Sequence, residues 1–535
     1  MKHEQTFDYI VIGGGSSGCI VAARLASESK STVLLLEKGG DETESPEILA
    51  ADGFKEAFAN DNTMLDRLST PQGELAKRPI YAGSGKSMGG SGSVNGTVYT
   101  RGDKRDFANW PENWQWQENA PFYEKLEAQL RVRFRKPTHL TERCIDAAKS
   151  IGFEQKNSLN DGELSGFIGY NDMNFEGELR RSSYVAFIRD HRDDLESLTI
   201  KHYSTASRIL FDADNKAIGI DYLENGQLRR AHVNKEIILT AGALETPKLL
   251  MLSGIGPQAE LEKHGIVPVH ISENIGKNLQ DHPMVCIFYK GNQKSDFGYP
   301  QLYGFHRFNT GSYLPEGQAD TCVTLFAASS VMQKTLHRMM PLMVLPQSLY
   351  KISGLRRFIR GCVDVAFKLP PLQSFVSRLY GIVVILGKPL SRGELRLKSV
   401  NALDAAEIDV AYFRNPEDLQ TIKMGIEKIK KMMTHSSMKE WGNKLVSKAA
   451  YTSNEKSLQK WIEGSVATSF HFSGTCKMGN SEADPVDSQL RLRGTQNIRV
   501  ADASVIPEIP VSALNAPSMM IGYRAAEFIL NKNES

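Results

Sequence analysis

The segment FDYIVIG at 7–13 is rich in β-branched and aromatic residues and reads as a short buried strand. GGGSSG follows at 13–18, then CIVAARLA, whose Ala, Leu and Val content at helical spacing reads as a helix. VLLLEKGG at 33–40 is a second buried strand that ends in an acid. A strand, a Gly-x-Gly-x-x-Gly turn, a helix and an acid about 20 positions on leave little freedom in what the chain can become. Gly13 permits the tight turn, Gly15 lets the backbone approach a pyrophosphate, and Gly18 lets helix and strand pack closely. Ser16 and Ser17 lead into a helix N-terminus that attracts phosphate. Glu37 stands where it would accept hydrogen bonds from ribose hydroxyls, which disfavours a 2′-phosphate there. The same letters, Gly14-Gly15-Ser16-Ser17-Gly18, also match a nucleophile elbow, but no Asp-then-His order follows. The expectation is an α/β chain built on a Rossmann-like dinucleotide-binding domain.

At 535 residues a single domain is unexpected, and a second lobe is predicted. An apolar fraction of 41% and a charged fraction of 24% belong to globular proteins, and a net charge of +2 carries no nucleic-acid footprint. No apolar run has the length of a spanning helix, and the start has no apolar core of signal-peptide length. Six scattered cysteines form no CxxC pair, so reduced thiols and a cytoplasmic location are expected, with no metal site.

GSGKSMGGSGSVNGTVYTRG at 83–102 resembles a phosphate loop at GSGKS, but the glycine that loop requires is Ile80 here. Its glycines instead suit a backbone lying flat against a ligand, offering N–H donors without side-chain bulk. Gly85-Lys86, Gly89-Gly90-Ser91-Gly92, Val94-Asn95, Tyr99 and Gly102 resemble the first signature of the glucose–methanol–choline (GMC) oxidoreductases. Met88 departs from that pattern by a mild, volume-preserving change. Gly242-Ala243, Thr246-Pro247, Leu249-Leu250 and Ser253-Gly254-Ile255-Gly256 are similar to the second signature, and NIGKNLQDHP at 274–283 is close to another family block. EIILTAG before the second signature reads as a strand and TPKLLMLSG as a helix. The resemblance runs from residue 7 to about 530 and is weakest over 105–180 and 291–385.

The resemblance implies an FAD cofactor held by a Rossmann-like domain, with a second, α+β substrate-binding domain. It implies non-covalent FAD, because Val94 stands where some relatives carry the linking histidine. It also implies cofactor contacts from Lys38, Met88, Gly90, Ser91, Asn95, Gly96, Thr97, Val98, Ala206, Ala241, Gly242, Asp502, Ala503 and Ala516. The expected FAD-binding domain is discontinuous, over 1–150, 190–290 and 465–535. The substrate-binding domain takes 151–189 and 291–464.

SFHFSGTCKMG at 469–479 places His471 at the histidine of the family's H-x-x-G-T-C-x-M-G block, with Phe472-Ser473 replacing the usual Pro-Val. NIRVADASVIP at 497–507 resembles the strand and turn that carry the family's flavin-contacting Asp-Ala. Asn515 falls at the family's second catalytic position. A flavin takes a hydride at N5, so the protein must position an alcohol carbon and manage its hydroxyl proton. A neutral imidazole can take that proton and an amide can donate to the developing alkoxide. His471 is therefore the expected base and Asn515 the orienting donor, in oxidation of an alcohol to an aldehyde or ketone. Two alternatives stay open: an FAD-containing lyase on the same fold, and a polar alcohol such as choline or a sugar. Oxygen or a quinone is the expected electron acceptor.

The stretch 331–390 exceeds the family's usual connection. It carries nine basic residues (Lys334, Arg338, Lys351, Arg356, Arg357, Arg360, Lys368, Arg378, Lys388) against the single acid Asp364. Apolar residues at helical spacing lie among them, which suits a lid over the substrate pocket, a peripheral contact with an anionic membrane, or both. A hydrophobic alcohol is the substrate this insert favours.

Overall fold

In the computed structural model, which describes residues 5–295, 297–350 and 352–532, the opening strand enters the interior at once. β1 (Gln5–Ile12) and β2 (Val33–Leu36) run parallel, joined by α1 (Gly18–Ser29), and every residue of β2 is buried. Such an uninterrupted Val/Leu run is what a parallel strand covered on both faces requires. α1 stops at Lys30, which adopts left-handed backbone at φ 53°.

The first sheet has seven strands. β3 (Leu198–Lys201), β2, β1 and β6 (Gln227–Leu239) are parallel neighbours in that order. β4 (Ser204–Phe211) and β5 (Ala217–Glu224) form an antiparallel meander with the first half of β6. β11 (Ile498–Val500), from the far end of the chain, pairs with residues 237–239 at the other end of β6. The expected strand before residue 242 is thus longer than EIIL and serves three partners, β1, β5 and β11. α2 (Thr246–Leu252) has Pro247 in its first turn, where the missing N–H costs nothing.

The second sheet has eight strands and is mostly antiparallel. β7 (Pro283–Lys290), β10 (Leu379–Leu386), β9 (Thr321–Ala327) and β8 (Leu302–His306) form its centre in that order. β7 starts at Pro283, inside the stretch 190–290 expected in the first domain, because its alternating MVCIFYK pairs with β10 over its whole length. SRGELRLKS at 391–399, which alternates like a strand, is one only over Glu394–Arg396.

Between β9 and β10 the chain makes a helical excursion: α3 (Ala328–Val344), one turn at Gln347–Tyr350, α4 (Ser353–Phe367) and α5 (Pro370–Val376). This corrects the insert's expected extent of 331–390. The run LYGIVVIL at 379–386 is fully buried and forms β10, because β-branched residues pack best in a central strand. Lys388 is also buried, donating to the Ile509 carbonyl at 2.8 Å with Asp106 at 3.4 Å. Of the other basic residues, Lys351 lies outside the described ones.

The C-terminal helix α6 (Asn515–Lys532) packs along α1, and Arg24 stacks over Tyr523 at 4.0 Å. The two meet at backbone distance, since a Cβ on Gly522 would lie 2.7 Å from the Ser17 carbonyl. This contact carries Asn515 back to the first turn. That turn is equally tight: a Cβ on Gly18 would fall 1.9 Å from the Gly13 carbonyl. Gly18→Ala is therefore expected to lower thermal stability by more than the roughly 1–3 kcal/mol of ordinary overpacking, measured by calorimetric unfolding.

Candidate active site

Three pieces of chain converge on the first turn. Gly13 is at φ 107°, and its carbonyl accepts from the Thr240 hydroxyl at 2.8 Å. The glycine-rich loop lies directly on top: Gly89 donates to the Gly14 carbonyl at 2.7 Å, and a Cβ on Gly90 would stand 2.8 Å from the Gly15 Cα. Met88 is buried with its sulfur against Gly14, so the departure at this position fills space a branched chain would fill elsewhere. Ser91 accepts from the Gly85 amide at 3.1 Å and holds the loop's own bend.

The backbone here fits a dinucleotide. A Cβ on Gly15 would meet only the Thr240 carbonyl, at 3.9 Å, so the space beside it is open for a pyrophosphate. Ser17 gives its hydroxyl to the Ala501 carbonyl and makes no cap bond, leaving the first-turn amides of α1 without a side-chain partner. Glu37 is buried and accepts from Gly14 N at 2.9 Å and Gly39 N at 2.8 Å. Burial pushes its carboxyl up to about 7, and each oxygen keeps a lone pair for a ribose hydroxyl. Lys38 faces Glu245 at 3.5 Å within a cluster that includes Arg67 and Lys248. Ala206 sits at a bulge of β4, and Ala241 follows the end of β6.

Asn95, Gly96, Thr97 and Val98 form the loop's exit. Asn95 Oδ1 accepts from the Thr97 amide at 3.0 Å, Thr97 is held at φ 59°, and Val98 pairs with Met173. Sequence reasoning missed what secures this segment. Arg180 has no exposed surface, and it donates to Asn95 Oδ1 at 2.7 Å, to the Asn95 carbonyl at 2.7 Å and to the Gly92 carbonyl at 3.1 Å. Burial pushes its guanidinium down to about 9. No local motif marks Arg180; its role follows from a contact across 85 residues.

Asp502 ties the second signature to the chain's end. Its carboxylate accepts from Gly242 N at 2.9 Å, the Thr246 hydroxyl at 2.6 Å and Ser504 N at 2.8 Å. Ala503 accepts from Gly474 N at 3.1 Å, which joins this block to the one that carries His471. Asn515 opens α6, followed by the buried Ala516. The Ser16 hydroxyl donates to Asn515 Oδ1 at 2.9 Å, which fixes the amide, and Asn515 Nδ2 is buried without a partner. A buried donor left unpaired costs about 1–3 kcal/mol, so its retention points to a group it serves when bound.

His471 lies at the end of a short antiparallel pairing in which Gln280 and Ser473 exchange backbone bonds of 3.0 and 2.9 Å. Asp281 secures the turn, accepting from His471 N at 2.7 Å, the Thr468 hydroxyl at 2.5 Å and Tyr412. The His471 ring contacts a second histidine that the sequence did not single out: His282 Nδ1 stands 2.9 Å from His471 Nδ1. Burial pushes His471 down to about 4. Among the described residues no hydrogen bond joins His471 to Asn515, and no group of His, Cys, Asp and Glu could hold a metal ion.

Arg180→Met is expected to leave the Gly92 and Asn95 carbonyls without their donor and to weaken FAD binding at least tenfold, measured by flavin titration of the apoprotein.

The family model described as GMC oxidoreductase matches residues 7–284 in its N-terminal part and 389–522 in its C-terminal part. The chain is 32% identical to an alcohol dehydrogenase [acceptor] of Pseudomonas putida, covering 98% of this chain and 96% of that protein. It is 28% identical to an oxygen-dependent choline dehydrogenase of Vibrio vulnificus, over 99% of this chain and 95% of the relative. Its fold matches that of pyridoxine 4-oxidase from Mesorbium loti with a TM-score of 0.83 at 24% identity, covering 97% and 98% of the two chains. With both parts of the family model spanning the turn, the loop and the two histidine-bearing blocks, the chain belongs to the GMC oxidoreductase family and is an FAD-dependent oxidoreductase.

Proposed function

We propose that this enzyme oxidises a hydrophobic alcohol to its aldehyde or ketone at an anionic membrane surface, with His471 as base and Asn515 as orienting donor. The observation that carries the chemistry is the buried, unpartnered Asn515 Nδ2 beside the cofactor turn. Bound FAD, held without a covalent link by the turn at 13–18, the loop at 85–98 and the Asp502 block, supplies the hydride acceptor. The protein's own share is to hold the alcohol and move one proton. Asn515 Nδ2 donates to the alcohol oxygen and steadies the charge that develops there. His471, kept neutral by burial, takes the hydroxyl proton on its free ring nitrogen. Oxygen or a quinone would be the electron acceptor.

His471→Ala is expected to slow anaerobic bleaching of the flavin by an alcohol about 10²- to 10⁴-fold. In the unaltered enzyme a base depressed to about 4 loses activity only as pH falls through that value, so the acid limb of kcat/KM lies well below 6.5. Near-full bleaching by the alanine variant would overturn the assignment of the base. An unchanged flavin accompanied by carbon–carbon cleavage would favour a lyase.

The membrane reading rests on how the helical excursion is turned. α4 directs three of its four charges at neighbouring elements: Arg360 and Arg356 reach Asp61 at 2.7 and 3.1 Å, and Asp364 accepts from His337 at 2.8 Å. Arg338, fully buried on α3, holds Asp66 at 2.8 Å and the carbonyls of Phe58 and Asn60. Burial opposes the charge of Asp61, yet Arg360, Arg338 and Arg356 hold its carboxyl below the ordinary range. The outward face is apolar instead: Phe358, Val365 and Leu369 are 71%, 64% and 55% exposed. Met343, Val344, Leu349 and Ile352 extend it, and Arg357 and Lys368 lie exposed beside it. An outward apolar stripe rimmed by cations is suited to the interface of an anionic bilayer, where each cation adds about 1 kcal/mol. Among the described residues no helix is long and apolar enough to cross.

The excursion also borders the chemistry. α3 packs on helix Phe54–Ala59, and Phe58, Tyr81 and Phe470 form an edge-to-face triad at 6.0 Å centroid spacings, next to His471. An alcohol partitioned into lipid would reach the base along an aromatic wall. The protein is expected to pellet with phosphatidylglycerol vesicles, and F358D/V365D to stay in solution while still oxidising a water-soluble alcohol. Absence of lipid-dependent pelleting, or equal pelleting of the variant, would overturn the membrane contact.

A further inference from the structure

The pairing of His282 with His471 has a chemical requirement. Both contacting atoms are Nδ1, 2.9 Å apart, so one carries a proton and the other offers a lone pair. The two possible assignments are not equivalent for catalysis. If His282 held its proton on Nδ1, His471 would accept there and carry its own proton on Nε2. That nitrogen could then donate to an alcohol but could not take its proton. If His471 holds the proton on Nδ1, its Nε2 is a lone pair and the ring is a base.

Only the second assignment leaves His471 a base, and the 2.9 Å contact then requires His282 to accept on Nδ1 and to carry its own proton on Nε2. The His282 side chain is buried, and its Nε2 has no hydrogen-bond partner among the described residues. A second positive charge is disfavoured at this position, because burial penalises it and His471 and Lys388 both oppose it. His282 stays neutral through the cycle and remains an acceptor when His471 becomes charged. The rings meet edge to face, at an interplanar angle of 86° and a centroid distance of 5.0 Å. Neither can rotate far, since the backbones at 280–282 and 469–473 are zipped together.

We propose that His282 is a positioning residue for this reaction: through its Nδ1 it fixes the proton of His471 on Nδ1, so that Nε2 of His471 faces the alcohol as a lone pair. The inference rests on His471 being the base and adds the group that makes it one. The role resembles that of outer-shell partners elsewhere, which set a ring's tautomer without touching substrate. His282 sits in the NLQDHP block, where nothing in the sequence distinguishes a positioning histidine from a packed one.

The test compares two replacements in the FAD-loaded enzyme. His282→Leu fills the volume but removes the acceptor, whereas His282→Asn returns an oxygen to the place of Nδ1. His282→Leu is expected to slow flavin bleaching by an alcohol about 10- to 100-fold. Alcohol binding should be unchanged, so the loss falls on kcat rather than KM. His282→Asn should recover the rate to within about threefold. Nitrogen-15 shifts of labelled histidine should place the proton of His471 on Nδ1 in the unaltered enzyme and the Asn variant, and redistribute it in the Leu variant. A Leu variant with unaltered rate and unaltered shifts, beside an inactive His471→Ala, would overturn the positioning role while sparing the base. An active His471→Ala would instead remove the base itself. Should the Leu variant fail to fold, a folded Asn variant slowed by the same 10- to 100-fold would overturn the inference.

Discussion

Two stretches of backbone must lie closer together than any side chain permits, and the rest of the molecule is arranged around that approach. Gly90 rests on Gly15, Gly89 donates to Gly14, and Gly18 touches Gly13. Once the loop at 85–92 is seated on the first turn, Gly92 lies beside Ser16 and Asn515, and the C-terminal helix is drawn in through Gly522 against Ser17. The chain's first and last elements thus meet at one spot. The constraint is steric before it is electrostatic: charges such as Glu37 and Asp502 are buried around it, each compensated by backbone amides rather than by cations.

How far the sequence discloses this depends on whether a signal is local. The first turn is legible because strand, glycine spacing and helix fall within about 30 residues and each has its own period. The loop is legible because a dense run of glycines has few other uses. Arg180 and His282 are not, since each acts through contacts across a long separation, and an arginine or histidine in isolation has many fates. Asp61 is likewise an ordinary acid in the sequence, and only the fold shows three arginines gathered on it. The strand at 379–386 shows the converse error, in which a basic and apolar composition was extended past the helices into the core.

The amphipathic character of the excursion was visible in its spacing, but its orientation was not. Periodicity reports that a helix has two faces; it is silent on which one turns outward. The partners settle that, and here they are acids on a different part of the chain. Counting basic residues therefore overstated the outward charge, because Arg338, Arg356 and Arg360 are consumed inside. The family model's two parts leave residues 285–388 unmatched, and the excursion falls wholly within that gap.

The inverted helix has a colloidal consequence. Water-soluble proteins keep copies apart with a hydrated, charged skin, and α4 has committed Arg356, Arg360 and Asp364 to partners within the molecule, leaving Arg357 exposed. What remains at Phe358, Val365 and Leu369 is a sticky stripe that any apolar surface will wet, including another copy of itself. The molecule's behaviour in a purified state will therefore depend on detergent and concentration far more than its near-neutral charge suggests.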